Sequence, residues 1–486
     1  MDCGLLVRTK TNINEYEVDM LKKIRIALAA VFFVGITLLL VGIGEQWWGW
    51  MAKLQFLPAC LALNVAVIAG LIVLTLIFGR IYCSVICPLG VLQDLIFRLR
   101  KTVDKKRHQH FRKENKILRY GIWVAFVACL IAGVQVVIAL LAPYSAYGRM
   151  IASIVHPHGW VVPMVAGVTL VLLIVLVWTG GRTWCNSICP VGTTLSFFSR
   201  FALLRPSIDT DMCKKCGKCE RECRAACIDV ESGRIDYSRC VDCFDCIDSC
   251  AFGGLKYRLA YRTEVDNSAT VSPEANGDAG RRAFISAAVM VGAAATVKAQ
   301  ENKLDGGLAA IEGKKRPERT GRIVPFGAGS EKNFYSHCTA CQLCVQNCPN
   351  NVLHPSTDLN HLMQPLVSYE DGWCRPECTE CSQVCPTGAI LPLTPEEKTN
   401  VHIGVATVRL DLCFANTGKE NCGNCARHCP TQAIKMVRKD PHGRNQARIP
   451  TVDESKCIGC GACEYLCPSR PFSAIYVNGL KEHRNG

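Results

Sequence analysis

Several redox and nucleotide motifs are missing from the 486-residue sequence, and each absence excludes a class of chemistry. No C-x-x-C-H occurs, which excludes covalently attached c-type haem. Neither a Walker loop nor a Gly-rich turn after a strand is present, so ATP-driven chemistry and a dinucleotide site are not indicated. No histidine lies inside any of the four long apolar stretches described next, which argues against a membrane haem held by two histidines.

Charged residues are nearly absent from four apolar stretches, each about long enough to cross a bilayer. These stretches are Ile26–Gly44, Leu57–Phe78, Ile117–Ala142 and Trp160–Thr179. Asp, Glu, Lys and Arg are missing from all of them except the third, whose Arg119 lies in its first turn. Because a charge near mid-membrane costs about 2.5–3.5 kcal/mol on insertion scales, we expect four membrane spans.

Basic residues are unevenly divided among the segments that flank these stretches. Two segments are rich in them, namely the one before the first stretch (Arg8, Lys10, Lys22, Lys23 and Arg25) and the second connection (Arg98, Arg100, Lys101, Lys105, Lys106, Arg107, Arg112, Lys113 and Lys116). The first and third connections carry only Lys53 and Arg149. The positive-inside rule therefore predicts that both ends of the four-span unit lie in the cytoplasm, as in a bacterial inner membrane protein. The net charge of +14 does not indicate a nucleic-acid partner, because apolar spans flank the basic run and no recognition motif accompanies it.

A twin arginine follows a polar, turn-rich linker that runs from about Thr263 to Gly280. Arg281 and Arg282 precede a small-residue apolar segment that ends at Val297. This arrangement resembles a twin-arginine export signal, which would place the chain beyond about Gln300 outside the cytoplasm. The alternative is a short cytoplasmic helix with two accidental arginines. Whether such a signal would be cleaved or kept as a fifth span stays open.

Cysteine is abundant, with 32 residues, and most of the cysteines fall into six groups of four. Four groups lie in the C-terminal half, and a proline follows the last cysteine of each: Cys338, Cys341, Cys344, Cys348; Cys374, Cys378, Cys381, Cys385; Cys413, Cys422, Cys425, Cys429; and Cys457, Cys460, Cys463, Cys467. Runs of the form C-x2-C-x2-C-x3-C-P bind [4Fe–4S] clusters, and the fourth cysteine ligates the neighbouring cluster. We therefore expect the first three cysteines of each group to share a cluster with the fourth cysteine of its partner group. The crossing ligand would be Cys385 for the first group, Cys348 for the second, Cys467 for the third and Cys429 for the fourth.

Two more groups occupy the middle of the chain: Cys213, Cys216, Cys219, Cys223 and Cys240, Cys243, Cys246, Cys250. Arg224 and Ala251 stand where the other groups have proline, and Cys227 is an extra thiol. Either Cys223 or Cys227 could be the crossing ligand, with the spacing favouring Cys223. Zinc ribbons pair two C-x2-C knuckles and do not place three thiols within seven residues. Disulfides between such near neighbours would be strained. The sequence thus predicts six [4Fe–4S] clusters.

A repeated C-x3-C-P motif ends the second and fourth stretches. Gly79 to Gly90 reads GRIYCSVICPLG, and Gly181 to Gly192 reads GRTWCNSICPVG. The four-span unit is therefore an internal repeat of two hairpins that delivers Cys83, Cys87, Cys185 and Cys189 to the cytoplasmic face. These thiols could form a further metal or cluster site, a thiol pair near quinol, or a docking surface for the middle segment. The alternative is that cysteine and proline only shape two helix turns.

The order of these parts resembles two proteins of periplasmic nitrate reduction. Four spans with two C-x3-C-P motifs and a trailing ferredoxin segment are similar to NapH, a membrane quinol dehydrogenase component. A twin-arginine segment followed by four cysteine groups is similar to NapG, an exported ferredoxin-type protein, and the stretch Leu391 to Lys398 followed by Ile403 to Ala406 resembles the NapG spacer. Methylamine-utilisation ferredoxins and the membrane part of nitrous-oxide regulator proteins are similar too. The resemblance implies quinol as the electron donor, and His156, His158, Tyr144 and Tyr147 at the outer face could accept its protons, although loop histidines are more often simply solvated.

Together these features predict an α-helical membrane domain joined to α+β bacterial-ferredoxin-like domains. The expected order is a domain of four spans as two repeated hairpins (1–205), a cytoplasmic two-cluster segment (206–260), a linker with the twin arginine and a possible fifth span (261–330), and an exported four-cluster domain (331–486). The predicted function is electron transfer from the membrane quinone pool to a periplasmic reductase, such as nitrate reductase, or a cytochrome. The alternative is a redox sensor or a maturation factor that reductively activates a periplasmic metalloenzyme.

Overall fold

The computed structural model describes residues 13–104, 109–155, 160–260, 304–305, 309–310, 313–418, 421–439 and 447–485. Within these ranges the first part of the chain, residues 13–203, is helical and is called the helical unit. Its helices are α1 (Ile13–Val41), α2 (Glu45–Lys53), α3 (Phe56–Leu61), α4 (Val65–Phe78), α5 (Tyr82–Val85), α6 (Pro88–Val103), α7 (Lys116–Ala132), α8 (Gln135–Leu141), α9 (Pro143–Val155), α10 (Val161–Gly180) and α11 (Pro190–Ser199), with a π-helical turn at Trp184–Ile188. The twin arginine, His156 and His158 lie outside the described residues.

Two described helices are long and apolar enough to cross a membrane, Val18–Val41 within α1 and Val161–Gly180, which is α10. Helices α8 and α9 would form a third span only as a pair bent by 76°. Large apolar side chains of α4, α7 and α10 point outward, among them Val65, Ile131 and Val168. A helix that is apolar on its outer face as well as its inner face is typical of a membrane segment.

The other expected spans are interrupted in the structure. Leu57–Phe78 is divided between α3 and α4 by Leu63, which has a φ of 51°. Ile117–Ala142 is divided between α7 and α8 by Gly133, whose φ is 75° and whose N–H caps the end of α7 at the Cys129 carbonyl. A left-handed residue ends a helix because it turns the next N–H groups away from the helix axis. Apolar composition marks these segments correctly, but it does not reveal the breaks inside them.

Short strands and helices form two further units, the middle unit (204–260) and the C-terminal unit (313–485). The strands are β1 (Leu204–Ile208), β2 (Ile228–Asp229), β3 (Arg234–Ile235), β4 (Leu255–Leu259), β5 (Leu304–Asp305), β6 (Ala309–Ala310), β7 (Leu353–Pro355), β8 (Pro365–Val367), β9 (Val401–Val408), β10 (Ile434–Arg438), β11 (Arg448–Val452) and β12 (Ile475–Asn485). The helices are α12 (Lys218–Glu222), α13 (Asp245–Ser249), α14 (Glu331–His337), α15 (Leu343–Gln346), α16 (Glu380–Val384), α17 (Pro395–Thr399), α18 (Phe414–Thr417), α19 (Asn424–Arg427) and α20 (Ala462–Tyr465), with a 3₁₀ turn at Leu359–His361.

Antiparallel strand pairs bring the ends of each cysteine-rich segment together. In the middle unit β1 pairs with β4, and Leu204 lies opposite Leu259. In the C-terminal unit β9 pairs with β12 around the last two cysteine groups, and Ile475 lies opposite Val408. Most of the short helices, including α12, α13, α19 and α20, begin within a cysteine group. This is the mixed α+β architecture that the sequence indicates.

Helix α1 contacts the middle unit near its beginning and the C-terminal unit near its end. The ammonium group of Lys22 pairs with Asp245 at 3.2 Å and Asp248 at 3.0 Å in the middle unit. The Asn347 side chain of the C-terminal unit donates to the Leu39 carbonyl at 3.4 Å. Between Lys22 and Leu39, α1 rises about 26 Å at 1.5 Å per residue, and this stretch lies within its 24-residue apolar part, Val18–Val41. The two ferredoxin-like units therefore lie at opposite ends of an apolar helix of bilayer-spanning length.

Candidate cluster sites and the buried thiol site

The structure brings cysteines from partner groups together around shared cavities. Four cavities are each lined by three cysteines of one group and the last cysteine of the next or previous group: Cys374, Cys378, Cys381 with Cys348; Cys413, Cys422, Cys425 with Cys467; Cys457, Cys460, Cys463 with Cys429; and Cys240, Cys243, Cys246 with Cys223. The extra thiol Cys227 also lines the last of these cavities. Apolar side chains complete the cavity walls. The sets of four thiols match the crossed arrangement that the spacing predicts.

The remaining two sets follow the same crossed pattern. The Cys344 thiol interacts with those of Cys338, Cys341 and Cys385. The Cys219 thiol interacts with those of Cys213, Cys216 and Cys250.

The thiol environment suits a multi-iron cluster better than a single ion. Burial raises the pKa of Cys425 to about 12 and that of Cys460 to about 12, so thiolates there need a bound cation. Within the described residues, no three His, Cys, Asp or Glu side chains converge closely enough to hold a single metal ion. A zinc ion would require four sulfurs at about 2.3 Å from one centre. The wider spacing leaves room for a [4Fe–4S] cube, and the cysteine sets fit that group.

The backbone around Cys223 matches that around other fourth cysteines. The sulfur of Cys223 accepts a backbone N–H from four residues later at 3.5 Å, as do the sulfurs of Cys348 at 3.4 Å and Cys429 at 3.3 Å. The sulfur of Cys227 lies 3.6 Å from that of Cys223, and this hydrogen bond lowers the pKa of Cys223 to about 7. The backbone geometry favours Cys223 as the crossing ligand, as the spacing does, and Cys227 lies in the same cavity beside it.

Lys398 is a buried cation beside one cysteine set, and the sequence pattern alone did not single it out. Its ammonium group lies 3.2 Å from the Cys374 sulfur and 2.7 Å from the Arg375 carbonyl, and the residue is 2% exposed. Helix α17 holds it there, because Thr394 and Glu397 form a capping box at the start of that helix. A cation hydrogen-bonded to a ligand sulfur raises the reduction potential of a cluster. The spacer stretch from Leu391 to Lys398 thus has a chemical role as well as a connecting one.

The four thiols of the C-x3-C-P motifs are buried inside the helical unit. Cys83, Cys87, Cys185 and Cys189 are each at most 3% exposed. After α4 and after α10 the chain folds back into the helical unit as a short turn, and α6 and α11 then begin at the prolines of the two motifs. Proline at the first position of a helix loses no hydrogen bond, which explains its place directly after each second cysteine.

The two motifs interlock through exchanged arginines. Arg80 of the first motif donates from Nη2 to the Cys185 carbonyl at 2.9 Å, and Arg182 of the second donates from Nη1 to the Cys83 carbonyl at 2.9 Å. Arg80 also lies 3.8 Å from the Cys83 sulfur, and Gln93 donates to the Cys185 sulfur at 3.1 Å. This approximate two-fold arrangement explains why the sequence repeats Gly-Arg before each cysteine pair.

A glycine in each motif makes this close packing possible. A Cβ atom on Gly192 would overlap the Cys185 carbonyl oxygen, and one on Gly90 would overlap that of Cys83. We expect Gly192→Ala to lower the free energy of unfolding by about 1–3 kcal/mol, because the added methyl group forces the turn apart. Gly167→Ala on α10 is the matched control, since nothing lies within 4 Å of its added methyl group. Equal thermal unfolding midpoints for the two variants in detergent would contradict this packing.

The middle unit docks directly on the two motifs. Gly181 packs against the Arg224 carbonyl, which accepts the Arg182 N–H at 2.9 Å, and Gly79 packs against the Asp242 carboxylate. Both glycines have positive φ, 70° at Gly79 and 68° at Gly181, and neither has room for a side chain. The C-x3-C-P motifs therefore form a docking surface for the middle segment, which is one of the hypotheses that the sequence suggested.

A buried carboxylate, Asp94 on α6, joins the helical unit to the middle unit. Its Oδ1 accepts a hydrogen bond from Arg182 Nε at 2.8 Å, and its Oδ2 forms ion pairs with Arg182 at 2.7 Å, Arg224 at 2.8 Å and Arg25 at 3.8 Å. Arg224 also pairs with Asp245 at 2.5 Å. Arg224 stands where other groups have proline, so this departure from the motif supplies the docking residue. The sequence marked the substitution but gave no sign of Asp94, whose partners are distant along the chain.

The buried thiols lie between the two ferredoxin-like units. Helix α6 begins beside Cys87 and runs to Lys101, which pairs with Glu222 of the middle unit. Towards the C-terminal unit, Gln55 donates to the Ile86 carbonyl of the first motif at 3.3 Å. Helix α3 begins at the next residue, and Ala62 at its end lies beside Gly388 of the C-terminal unit. The helix that follows the second motif is held to α7, because the Trp123 indole donates to Thr194 at 3.0 Å.

The tyrosines that we considered for quinol chemistry have different environments. The hydroxyl group of Tyr147 bonds to the Thr37 hydroxyl at 2.7 Å. Tyr144 is 2% exposed, and its hydroxyl group has no hydrogen-bond partner among the described residues. Tyr144 interacts with the Cys341 and Cys385 thiols of the C-terminal unit. Only Tyr144 therefore faces a cysteine set.

Paired strands that enclose crossed sets of four cysteines define a ferredoxin-type iron–sulfur protein. The chain belongs to the family of ferredoxin-type 4Fe–4S electron-transfer proteins that includes NapF and MauM. A family model described as a 4Fe–4S binding domain matches residues 62–107 and 160–208, and one described as a 4Fe–4S dicluster domain matches residues 420–470. The first of these matches covers both C-x3-C-P motifs.

Three relatives show how much of the chain is shared. The methylamine utilization ferredoxin-type protein MauM of Methylobacillus flagellatus is 35% identical over 164 residues, 32% of this chain and 68% of MauM. The ferredoxin-type protein NapF of Escherichia coli K12 is 31% identical over 176 residues, 35% of this chain and 98% of NapF. An uncharacterized protein of Methanocaldococcus jannaschii is 27% identical over 252 residues, 51% of this chain and 98% of that protein.

Proposed function

We propose that this protein is a membrane-bound conduit that passes electrons from quinol to a periplasmic acceptor. The acceptor would be a reductase, such as nitrate reductase, or a cytochrome, and the chain would combine a NapH-like membrane part with a NapG-like exported part. Bound [4Fe–4S] clusters would supply one-electron transfer, with potentials set by the charges and hydrogen bonds around them. The six cysteine sets described above are the proposed ligands.

The placement of the two ferredoxin-like units at opposite ends of α1 carries this proposal. About 26 Å of a single apolar helix separates their contacts at Lys22 and Leu39, close to the thickness of the hydrocarbon core of a bilayer, which supports one unit on each side. The basic residues before α1 and between α6 and α7 favour a cytoplasmic position for the middle unit. The C-terminal unit would then lie in the periplasm, in agreement with a twin-arginine signal in the linker. The four proposed spans include the interrupted segments, whose helices α4 and α7 carry exposed apolar side chains such as Val65 and Ile131.

The buried thiol site supplies the proposed link across the helical unit. Cys83, Cys87, Cys185 and Cys189 lie between the two docking surfaces, and the segments that hold them match a 4Fe–4S binding family. The guanidinium groups of Arg80 and Arg182, which are at most 1% exposed, would stabilise anionic sulfur there. We propose a further redox centre at these thiols, through which electrons pass between the middle unit and the C-terminal unit.

Quinol reduction of the purified protein tests the proposed function. Full-length protein would be isolated without oxygen, placed in lipid nanodiscs and mixed with a reduced quinol, while cluster absorbance is followed. We expect the clusters to bleach, and we expect Cys185→Ala to leave part of them oxidised. Cys60→Ala, a half-buried cysteine outside every set, is the control and should behave as the wild type. Iron-loaded protein that quinol does not reduce would overturn the proposal.

Accessibility of the two units tests the orientation. In intact spheroplasts, protease or a thiol label added outside is expected to reach the C-terminal unit and to spare the middle unit. The same reagents should reach both units after the membrane is broken. Equal accessibility of both units in intact spheroplasts would contradict a location on opposite sides.

A further inference from the structure

Arg149 of α9 is a fully buried cation without an anionic partner. The residue is 0% exposed, and its Nη1 donates to the Ala139 carbonyl. Its Nε and Nη2 atoms have no hydrogen-bond partner, and no carboxylate within the described parts of the chain pairs with it. A buried charge that is neither paired nor fully hydrogen-bonded costs several kcal/mol. The geometry therefore requires an anion next to this guanidinium group.

The nearest candidate for that anion is the cysteine set at the start of the C-terminal unit. Gly148, the residue before Arg149, packs so closely against the Cys341 carbonyl that a Cβ atom would overlap it. The Cys341 thiol is the ionisable group that interacts with the Arg149 guanidinium. One turn earlier on α9, the unpartnered Tyr144 hydroxyl interacts with Cys341 and Cys385. Two buried donors of the helical unit thus face one cysteine set of another unit.

A [4Fe–4S] core with four thiolate ligands carries net negative charge and presents sulfur acceptors. It therefore supplies both what the Arg149 guanidinium lacks, a counter-charge, and what the Tyr144 hydroxyl lacks, an acceptor. The chain already contains one such pairing, in which buried Lys398 lies 3.2 Å from the Cys374 sulfur. The difference is that Lys398 belongs to the same unit as its sulfur, whereas Arg149 and Tyr144 reach across an interface.

We propose that Arg149 and Tyr144 donate hydrogen bonds to the sulfur atoms of the cluster held by Cys338, Cys341, Cys344 and Cys385. The helical unit thereby completes the surroundings of this cluster and raises its reduction potential, since a nearby cation stabilises the reduced, more negative state. The cluster at the docking surface then becomes the acceptor for electrons that leave the helical unit. This inference rests on the ligand set given under the proposed function.

Redox titration of the full-length protein, followed by electron paramagnetic resonance, tests the inference. The signal of this cluster is identified as the one that Cys341→Ala removes. In Arg149→Gln we expect that signal to appear only at a lower potential, with the other signals unchanged. Arg149→Lys keeps the charge and should shift it less, and Tyr144→Phe should shift it in the same direction by a smaller amount. Arg409→Gln, at an exposed residue paired with Asp411, should shift no signal.

The outcomes separate this inference from the function on which it rests. Wild-type protein without iron and sulfide would refute the cluster assignment itself. Iron-loaded Arg149→Gln and Tyr144→Phe with unchanged potentials would overturn the inference alone, and a raised KM for quinol in those variants would place a quinol headgroup at the two donors instead. If Arg149→Gln loses the cluster, the Tyr144→Phe variant provides the test. An unchanged reduction potential of the cluster in Tyr144→Phe would then contradict the inference.

Discussion

Replacing Cys341 with alanine is expected to remove one [4Fe–4S] cluster and to interrupt electron flow into the C-terminal unit. Cys341 lies directly against α9, so its cluster is the one that meets the helical unit. Insertion into the membrane should not change, because the apolar helices do not depend on this thiol. Iron and sulfide content of anaerobically purified protein, together with quinol-dependent reduction of the remaining clusters, measure the effect.

Double variants sharpen this prediction because they test the crossed ligand sets. Cys341→Ala and Cys385→Ala should each remove the same cluster, so the combined variant should lose no more iron than either single variant. Cys341→Ala combined with Cys348→Ala should lose twice as much, because Cys348 lines a different cavity. Cys129→Ala on α7 is the control, since that cysteine belongs to none of the sets, and it should keep all its iron. Unchanged iron in Cys341→Ala would refute the ligand assignment.

Asp94→Asn is expected to be strongly destabilising, by about 3–5 kcal/mol. Asp94 is the carboxylate that Arg182 and Arg224 share at 2.7–2.8 Å, and its own side chain is only 9% exposed. Removing its charge leaves buried guanidinium groups without compensation at the surface where the middle unit docks. Thermal unfolding in detergent measures the loss, and limited proteolysis should release the middle unit at lower temperature than in the wild type.

An exposed ion pair provides the comparison for Asp94. Asp411 and Arg409 form a surface pair at 3.1 Å, with side chains 63% and 48% exposed. Asp411→Asn is expected to change stability by less than about 1 kcal/mol, because water screens such a pair. If Asp94→Asn were no more destabilising than Asp411→Asn, the buried network would not hold the two units together.

Local spacing was enough to predict the cysteine sets. Groups such as Cys457 to Cys467 lie within a few helical turns, and the chain geometry of such a run leaves one way to surround a cube. The structure brings together the same thiols that the spacing paired. The sulfur-accepting backbone geometry of Cys223 repeats that of other fourth cysteines and agrees with the preference from spacing, although Cys227 lines the same cavity.

Spans were predicted less completely than cysteine sets. Composition identified the apolar segments, and α1 and α10 are long enough to cross a membrane. It did not show the breaks at Leu63 and Gly133, because a single left-handed residue changes chain direction without changing hydropathy. It also did not show that the C-x3-C-P thiols are buried.

The sequence by itself determined the chemistry of this protein: thiols grouped at one-turn spacing, and apolar segments without charges. Both properties are local, so they can be read from neighbouring residues. Only the tertiary structure decided which groups meet across the chain. The exchanged contacts of Arg80 and Arg182, the three arginines around Asp94, and the pair Arg149 and Tyr144 facing Cys341 all join residues about 70 or more positions apart. Burial makes these contacts necessary, because a charge removed from water must find a partner wherever the fold provides one.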